Sequence, residues 1–144
     1  MHQIPSIRSQ MTPFPYFVEA DDSLLRARSM MVEHQIRHLP VKEHGVLVGV
    51  LTDRDLKRVL DPDLGMPPKE ELFVNDAFVS EAYCVDGREP LDRVLDHMAT
   101  HHIGSALVTR GEQLIGILTA SDACRLLRDQ LRSLSPRGEG DEVA

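Results

Sequence analysis

The chain has 144 residues, of which 42% are apolar and 27% are charged, and it contains no Trp. This composition is typical of an ordinary soluble globular protein, and a chain of this length can bury a core without disulfides or a structural metal. The formal net charge of −7 repels phosphate backbones, so nucleic-acid binding is not expected.

In chain order, the first half predicts a strand, a helix, two strands and a helix, at residues 16–18, 24–35, 39–41, 46–51 and 52–60. Asp21, Asp22 and Ser23 are candidate caps for the first helix. Residues 42–45 have the composition of a hairpin turn between the two later strands. Thr52 is expected to cap the second helix together with Asp53.

Residues 61–73 contain three prolines and carry a net charge of −3, so they are predicted to be a solvated linker. The second half then repeats the order of elements, with a strand, a helix, two strands and a helix at 83–85, 91–101, 105–108, 114–118 and 121–134. Residues 135–144 combine proline, glycine and charge, which predicts a disordered tail.

The two halves are copies of one unit. A shift of 67 residues aligns 7–60 with 74–127 without a gap, and 15 of the 54 aligned pairs are identical. Unrelated sequences of average composition would match at about three positions. We therefore predict a tandem duplication, with one repeat at 7–60 and a second at 74–134.

Each copy contains the pattern Gly-apolar-apolar-Thr-x-x-Asp where its last strand meets its last helix, at residues 49–55 and 116–122. Together with Met11-Thr12-Pro13 and the segment 36–41, these motifs resemble a CBS domain pair, also called a Bateman module. The resemblance implies an α/β (α+β) fold of two β-α-β-β-α repeats. It further implies a pseudo-twofold axis, sheets packed at the centre and helices on the flanks.

The same resemblance implies a regulatory, non-enzymatic module that binds AMP, ADP or ATP reversibly in clefts between the repeats and signals to a partner protein. No catalytic domain is recognisable in these residues, so we expect action on a separate chain. A homodimer through helices 24–35 and 121–134 is expected, since their apolar faces need cover. The alternatives are a ligand-free structural or protein-interaction module and a sensor of S-adenosylmethionine.

A Thr followed three residues later by Asp at a helix start can bind a nucleotide. The carboxylate accepts hydrogen bonds from a ribose diol, and free backbone N–H groups donate to a phosphate. Such a pair can equally serve as a helix cap. In the first repeat the candidates are Thr52, Arg54, Asp55, Arg37, His38, Thr12 and Tyr16. In the second repeat they are Thr119, Ser121, Asp122, Gly104, Ser105 and Tyr83.

The two candidate sites differ in charge. In the second repeat, Gly104 and Ser121 stand where the first has Arg37 and Arg54. The first repeat therefore suits a phosphate, and the second suits a nucleoside or the less anionic S-adenosylmethionine. Tyr16 and Tyr83 are rings that could hold an adenine, although a place in the core or at a sheet edge is the more frequent role of such a residue.

Catalytic and metal-binding patterns are missing from the sequence. It has no nucleophile elbow, phosphate-binding loop or dinucleotide fingerprint. His97, His101 and His102 lack an evident third ligand nearby, so no metal is expected. Cys84 and Cys124 form no Cys-x-x-Cys pair, and residues 1–14 have no signal-peptide core. With no apolar run near the roughly 20 residues that span a bilayer, we expect a cytoplasmic protein that does not bind membranes.

Overall fold

The computed structural model describes residues 3–61, 63, 72–78 and 81–134. Most of the predicted linker and all of the predicted tail lie outside these residues. The described strands are β1 (Thr12–Pro13), β2 (Val18–Glu19), β3 (His38–Glu43), β4 (Val46–Thr52), β5 (Cys84–Asp86), β6 (Ser105–Arg110) and β7 (Gln113–Thr119). The described helices are α1 (Leu24–His34), α2 (Asp53–Val59), α3 (Leu91–His101) and α4 (Ala120–Leu134). This is the predicted mixed α/β fold.

The four predicted helices are confirmed, and their predicted bounds are correct to within one residue at each end. At the start of α1, the Ser23 side chain accepts a hydrogen bond from the Arg26 backbone N–H at 3.0 Å, as an N-cap does. The same helix ends where Gln35 takes a left-handed conformation with φ of 53°. His102 ends α3 in the same way, with φ of 55°. Both helices bury an apolar face against a sheet, at Leu24, Ala27 and Met31 in α1 and at Leu91, Val94 and Met98 in α3.

Each repeat contributes an antiparallel hairpin, β3–β4 in the first and β6–β7 in the second. The turn of the first hairpin is shorter than predicted, because β3 continues through Glu43. Only His44 and Gly45 remain in the turn, and both have a positive φ, of 52° and 80°. Two such residues allow the tight hairpin whose twist matches the strands, so a four-residue turn at 42–45 was a wrong prediction.

The first predicted strand of each repeat begins later in the chain than predicted. β2 and β5 each pair in parallel with the next strand of their own repeat, beginning at Val18 opposite Val41 and at Cys84 opposite Leu107. Tyr16 therefore precedes a strand that was predicted to contain it, as does Tyr83 in the second repeat. Thr12, predicted to precede the first strand, lies within β1, which pairs with β7 of the other repeat.

The first segment of each repeat packs in the core of the other repeat. Ile7 has no exposed surface and belongs to the core of the second repeat, where its N–H donates to the Glu89 carbonyl at 2.9 Å. Val74, its counterpart at the same repeat position, is fully buried in the first core, and its N–H donates to the Asp22 carbonyl at 2.9 Å. Each core is therefore completed by residues from the other half of the sequence.

The two sheets have the strand orders β2-β3-β4 and β1-β7-β6-β5. They meet at the centre of the molecule, where β4 contacts β7. Because β4 and β7 lead into α2 and α4, this contact brings the starts of these two helices to the same junction. The Thr and Asp residues predicted to bind a ligand lie at these two helix starts.

Candidate functional site

The paired Thr and Asp form a reciprocal cap at the start of each repeat's last helix. The Thr52 Oγ1 accepts from the Asp55 N–H at 3.2 Å, and Asp55 Oδ2 accepts from the Thr52 N–H at 3.1 Å. At α4, Thr119 Oγ1 accepts from the Asp122 N–H at 3.2 Å, and Asp122 Oδ2 accepts from the Thr119 N–H at 2.8 Å. The capping role considered for these residues is therefore confirmed in both repeats.

The second carboxylate oxygen of each Asp contacts an arginine that the sequence analysis missed. Arg58 lies 3.2 Å from Asp55 Oδ1, and Arg125 lies 3.0 Å from Asp122 Oδ1. Both arginines occupy the same repeat position, so an Asp-x-x-Arg pattern at the 67-residue offset was a usable signal. Their side chains are 66% and 60% exposed. An exposed arginine can move aside for a diol or bind a phosphate next to the carboxylate.

The two carboxylates differ in accessibility. The Asp55 side chain is 9% exposed, whereas the Asp122 side chain is 24% exposed. One oxygen of each carboxylate is committed to the cap, so only the other oxygen is available to a ligand. Asp122 therefore presents the more open acceptor of the two.

His38 links the two clusters. It lies opposite Thr52 across the β3–β4 pair, and its ring packs against Gly104 of the second repeat. A Cβ built on Gly104 would lie only 2.8 Å from His38 Nε2. The Gly104 carbonyl in turn accepts from the Ala120 N–H at the start of α4, at 2.9 Å. The absence of a side chain at Gly104 thus leaves room for the imidazole between the two helix starts.

The remaining candidates lie at varying depth around the junction. Thr12, Arg37, Arg54 and Ser121 are exposed, whereas Ser105 is buried with 5% of its surface exposed. The backbone places Arg37 beside α2, since its carbonyl accepts from the Asp53 N–H at 3.0 Å. The structure thus gathers Arg37, His38, Thr52 and Asp55 with Gly104, Thr119 and Asp122.

Each of the two tyrosines stacks on a histidine of the helix that follows it in the chain, Tyr16 on His34 of α1 and Tyr83 on His97 of α3. The Tyr16 and His34 ring centroids are 3.8 Å apart, and those of Tyr83 and His97 are 4.1 Å apart. His97 also stacks on His101 at 4.1 Å. Among the residues that the structure describes, no group of three His, Cys, Asp or Glu side chains could hold a metal ion. Within the same residues, no helix is both long and apolar enough to cross a membrane.

Burial lowers the pKa of His38 below its usual 6.5, and this effect exceeds the opposing influence of the Asp53 carboxylate. As pH falls below about 6.5, the unfolded chain takes up this proton before the folded chain does, so the folded state loses stability. We expect His38→Gln to reduce this acid-dependent loss in melting curves recorded across that pH range. His44→Asn on the hairpin turn is the control. An unchanged pH profile in His38→Gln would contradict the prediction.

A family model described as CBS domain matches residues 6–62 and 74–129. The chain is 26% identical over 125 residues to L-aspartate semialdehyde sulfurtransferase of Methanocaldococcus jannaschii, a match that covers 85% of this chain but only 23% of that protein. The fold of the chain is similar to that of the CBS domain pair of protein MJ0100 in complex with 5′-methylthioadenosine and S-adenosyl-L-methionine. The TM-score is 0.77 at 25% sequence identity, and the match covers 89% of this chain and 99% of that one. CBSX2 in complex with AMP gives a TM-score of 0.76 at 24% identity, with the same coverage.

Proposed function

The chain belongs to the CBS domain family, whose proteins are generally regulatory, and on this premise we propose that it senses an adenosine-containing ligand. The ligand binds at the junction between the repeats, and its presence is transmitted to a partner protein. The observation that carries the proposal is the duplicated Thr–Asp cluster, placed on both sides of the contact between His38 and Gly104.

In the second repeat, Asp122 Oδ1 accepts from the ribose hydroxyls once Arg125 moves aside. Thr119 and Ser121 border the same helix start, whose N–H groups lack partners within the helix. This cluster suits the nucleoside part of a ligand, or the sulfonium compound S-adenosylmethionine. The reason is that the second repeat has Gly104 and Ser121 at the positions of Arg37 and Arg54.

In the first repeat, Arg37, Arg54 and His38 supply cationic and hydrogen-bonding groups around Thr52 and Asp55. Charge-assisted hydrogen bonds of this kind favour the phosphates of AMP, ADP or ATP. The proposed set is completed by Thr12, Tyr16, Gly104, Ser105 and Tyr83. The ligands named for the two structural neighbours, AMP in one and S-adenosylmethionine with 5′-methylthioadenosine in the other, support an adenosyl class.

Calorimetric titration of ligand-stripped protein with AMP, ADP, ATP, S-adenosylmethionine and 5′-methylthioadenosine tests the proposal. We expect saturable binding of at least one compound. At 100 times its dissociation constant, that compound should also raise the free energy of unfolding by about 2.7 kcal/mol. If the folded protein binds none of them, the alternative of a ligand-free interaction module becomes the better hypothesis.

Asp122→Asn is expected to weaken binding at the second cluster about 10-fold or more, because a hydrogen bond to a charged group contributes roughly 1.5–3 kcal/mol. The asparagine oxygen still accepts the capping hydrogen bond, so the melting temperature should change little. Asp129→Asn on the same helix is the matched control, since Asp129 is exposed and pairs with the neighbouring Arg128. Equal affinity of the Asp122→Asn and wild-type proteins for every ligand would remove Asp122 from the site.

Arg54→Ala is expected to weaken the binding of ATP more than that of adenosine, because only ATP has phosphates that the guanidinium can contact. The side chain is exposed, so the fold should tolerate its removal. The affinities of both ligands are measured by titration of the two proteins. An equal loss for ATP and adenosine would indicate a defect of shape and not the loss of a phosphate contact.

We also propose that the protein forms a homodimer through its helical faces. Val32 on α1 is 73% exposed, and Leu127 and Leu134 on α4 are 60% and 74% exposed. Apolar side chains grouped on a surface usually mark an interface. Light scattering across a concentration series should give twice the chain mass, and a monomer at all concentrations would refute the dimer.

A further inference from the structure

Only one oxygen of each capping carboxylate is left for a ligand, and an arginine contacts that oxygen. Asp55 Oδ2 accepts the capping hydrogen bond of α2, and Asp55 Oδ1 lies 3.2 Å from Arg58 Nη2. In the second repeat, Asp122 Oδ2 accepts from both the N–H and the hydroxyl of Thr119. Asp122 Oδ1 lies 3.0 Å from Arg125 Nη1. A ribose diol therefore competes with a guanidinium for each carboxylate.

The Asp–Arg pair is the part of these two helix starts that the repeats share. The shift of 67 residues aligns 53–58 with 120–125, and the two segments are identical only at the Asp and the Arg. A second ion pair of α2 joins Lys57 to Asp53 at 3.4 Å. It has no counterpart in α4, where Cys124 and Ala120 stand at those positions. The pair of Asp and Arg thus accompanies the cluster in both repeats, whereas the rest of the helix surface differs.

The two arginines can reach a phosphate that is bound next to the carboxylate. Arg58 and Arg125 each follow the Asp by three residues, so the Asp and the Arg lie on the same face of the helix. Helical side chains lean toward the start of the helix, which directs both guanidinium groups toward the cluster. Both side chains are largely exposed. The phosphate of a 5′-nucleotide is attached to the same ribose whose diol the carboxylate would accept, so a rotation of the arginine side chain suffices to contact it.

Displacing the arginine has a different cost for different adenosine compounds. Adenosine and 5′-methylthioadenosine would take the carboxylate oxygen and offer the guanidinium no anionic acceptor in return. A 5′-nucleotide offers phosphate oxygens, with which arginine forms charge-assisted and often bidentate hydrogen bonds. S-adenosylmethionine carries a sulfonium cation, which repels the guanidinium. An ion pair that one ligand must break and another can replace discriminates between the two ligands.

We propose that Arg58 and Arg125 determine the specificity of the two clusters, because they oppose adenosine compounds without a phosphate and bind the phosphate of those that carry one. The inference rests on the proposed function and deepens it, since it names 5′-nucleotides as the class of ligand. In the second repeat, Arg125 opposes the suitability for S-adenosylmethionine that follows from Gly104 and Ser121. Arg125→Gln should therefore strengthen the binding of S-adenosylmethionine to this cluster.

AMP and adenosine test the inference, because they differ only in the phosphate. Calorimetric titration compares the wild type with Arg58→Gln/Arg125→Gln, which keeps both side chains polar but removes both charges. The wild type should bind AMP more tightly than adenosine. In the variant, AMP should bind about 10-fold or more weakly than to the wild type, because charged hydrogen bonds to the phosphate are lost. Adenosine should bind about two- to fivefold more tightly, as expected when an exposed ion pair no longer has to be broken.

Lys57→Gln/Arg128→Gln is the matched control. It also removes one exposed charge from each helix, at ion pairs with Asp53 and Asp129 that do not include the cluster carboxylates. The control should leave the ratio of the AMP and adenosine affinities unchanged, and melting curves recorded by circular dichroism check that both variants are folded. The two single variants, Arg58→Gln and Arg125→Gln, then show which cluster holds the ligand.

The possible outcomes separate this inference from the proposed function. Weaker binding of AMP without a gain for adenosine would make the arginines simple phosphate contacts and would overturn the proposed competition. An equal change for both ligands would overturn it as well. If the wild type binds adenosine or S-adenosylmethionine at least as tightly as AMP, the proposed sensor stands and the assignment of specificity is wrong. If the folded wild type binds no adenosine compound, both proposals fail.

Discussion

Replacing Ile7 by alanine is expected to lower the free energy of unfolding by about 2–5 kcal/mol, the usual cost of removing a large buried aliphatic side chain. Ile7 is fully buried, and its neighbours in the core belong to the second repeat. The loss should therefore affect a part of the fold that begins some 80 residues later in the sequence. Urea denaturation followed by circular dichroism measures the change.

The same experiment shows whether the repeats unfold together. Because each core needs a segment from the other half of the chain, Ile7→Ala should shift one cooperative transition and not create a second one. Ile4→Ala is the control, since Ile4 is 59% exposed and its removal should cost less than about 0.5 kcal/mol. A stability of Ile7→Ala equal to that of the wild type, or a separate transition for one repeat, would contradict the exchange.

Gly104→Ala is expected to destabilise the protein by about 1–3 kcal/mol, the range found for overpacked sites. The added Cβ would lie 2.8 Å from His38 Nε2 and 3.2 Å from His38 Cε1. The ring is half-buried and bordered by both repeats, so it cannot move aside without loss of packing. This cost opposes the gain of about 0.4–1 kcal/mol that alanine brings by restricting the unfolded chain.

A double-mutant cycle distinguishes this clash from a general effect on the backbone. In a His38→Ala background the Cβ of Gly104→Ala meets no ring, so the second substitution should cost nothing or should stabilise. The four proteins are compared by chemical denaturation under one set of conditions. If Gly104→Ala costs as much without His38 as with it, the steric explanation fails.

Local features could be predicted from the sequence. The spacing of apolar residues predicts the helices at 24–34 and 91–101. The three-residue separation of Thr52 and Asp55 likewise predicts that they cap the next helix together. The predicted strand starts were less accurate. β2 begins at Val18 because that residue pairs with Val41 of β3. That start depends on register between strands, which the composition of residues 16–18 does not encode.

Contacts between the halves could not be predicted in this way. Ile7 resembles any apolar residue near a chain start, and nothing in its neighbourhood indicates that its core lies in the other repeat. The contact of His38 with Gly104 likewise joins two repeats, although both residues were selected as candidates for the site. Arg58 and Arg125 were missed for a different reason, since each lies three residues past the Asp that ends the Gly-apolar-apolar-Thr-x-x-Asp motif.

The reciprocal exchange of Ile7 and Val74 also bears on the origin of the chain. A single-repeat ancestor with this fold would have formed a pair in which each copy lent its first segment to the other. Fusion through residues 61–73 would turn that pair into one chain without changing its contacts. Two identical copies must carry the same residue at equivalent positions, whereas a fused chain can hold Arg37 in one half and Gly104 in the other. A single chain with this exchange can therefore hold different chemistry on the two sides of the junction.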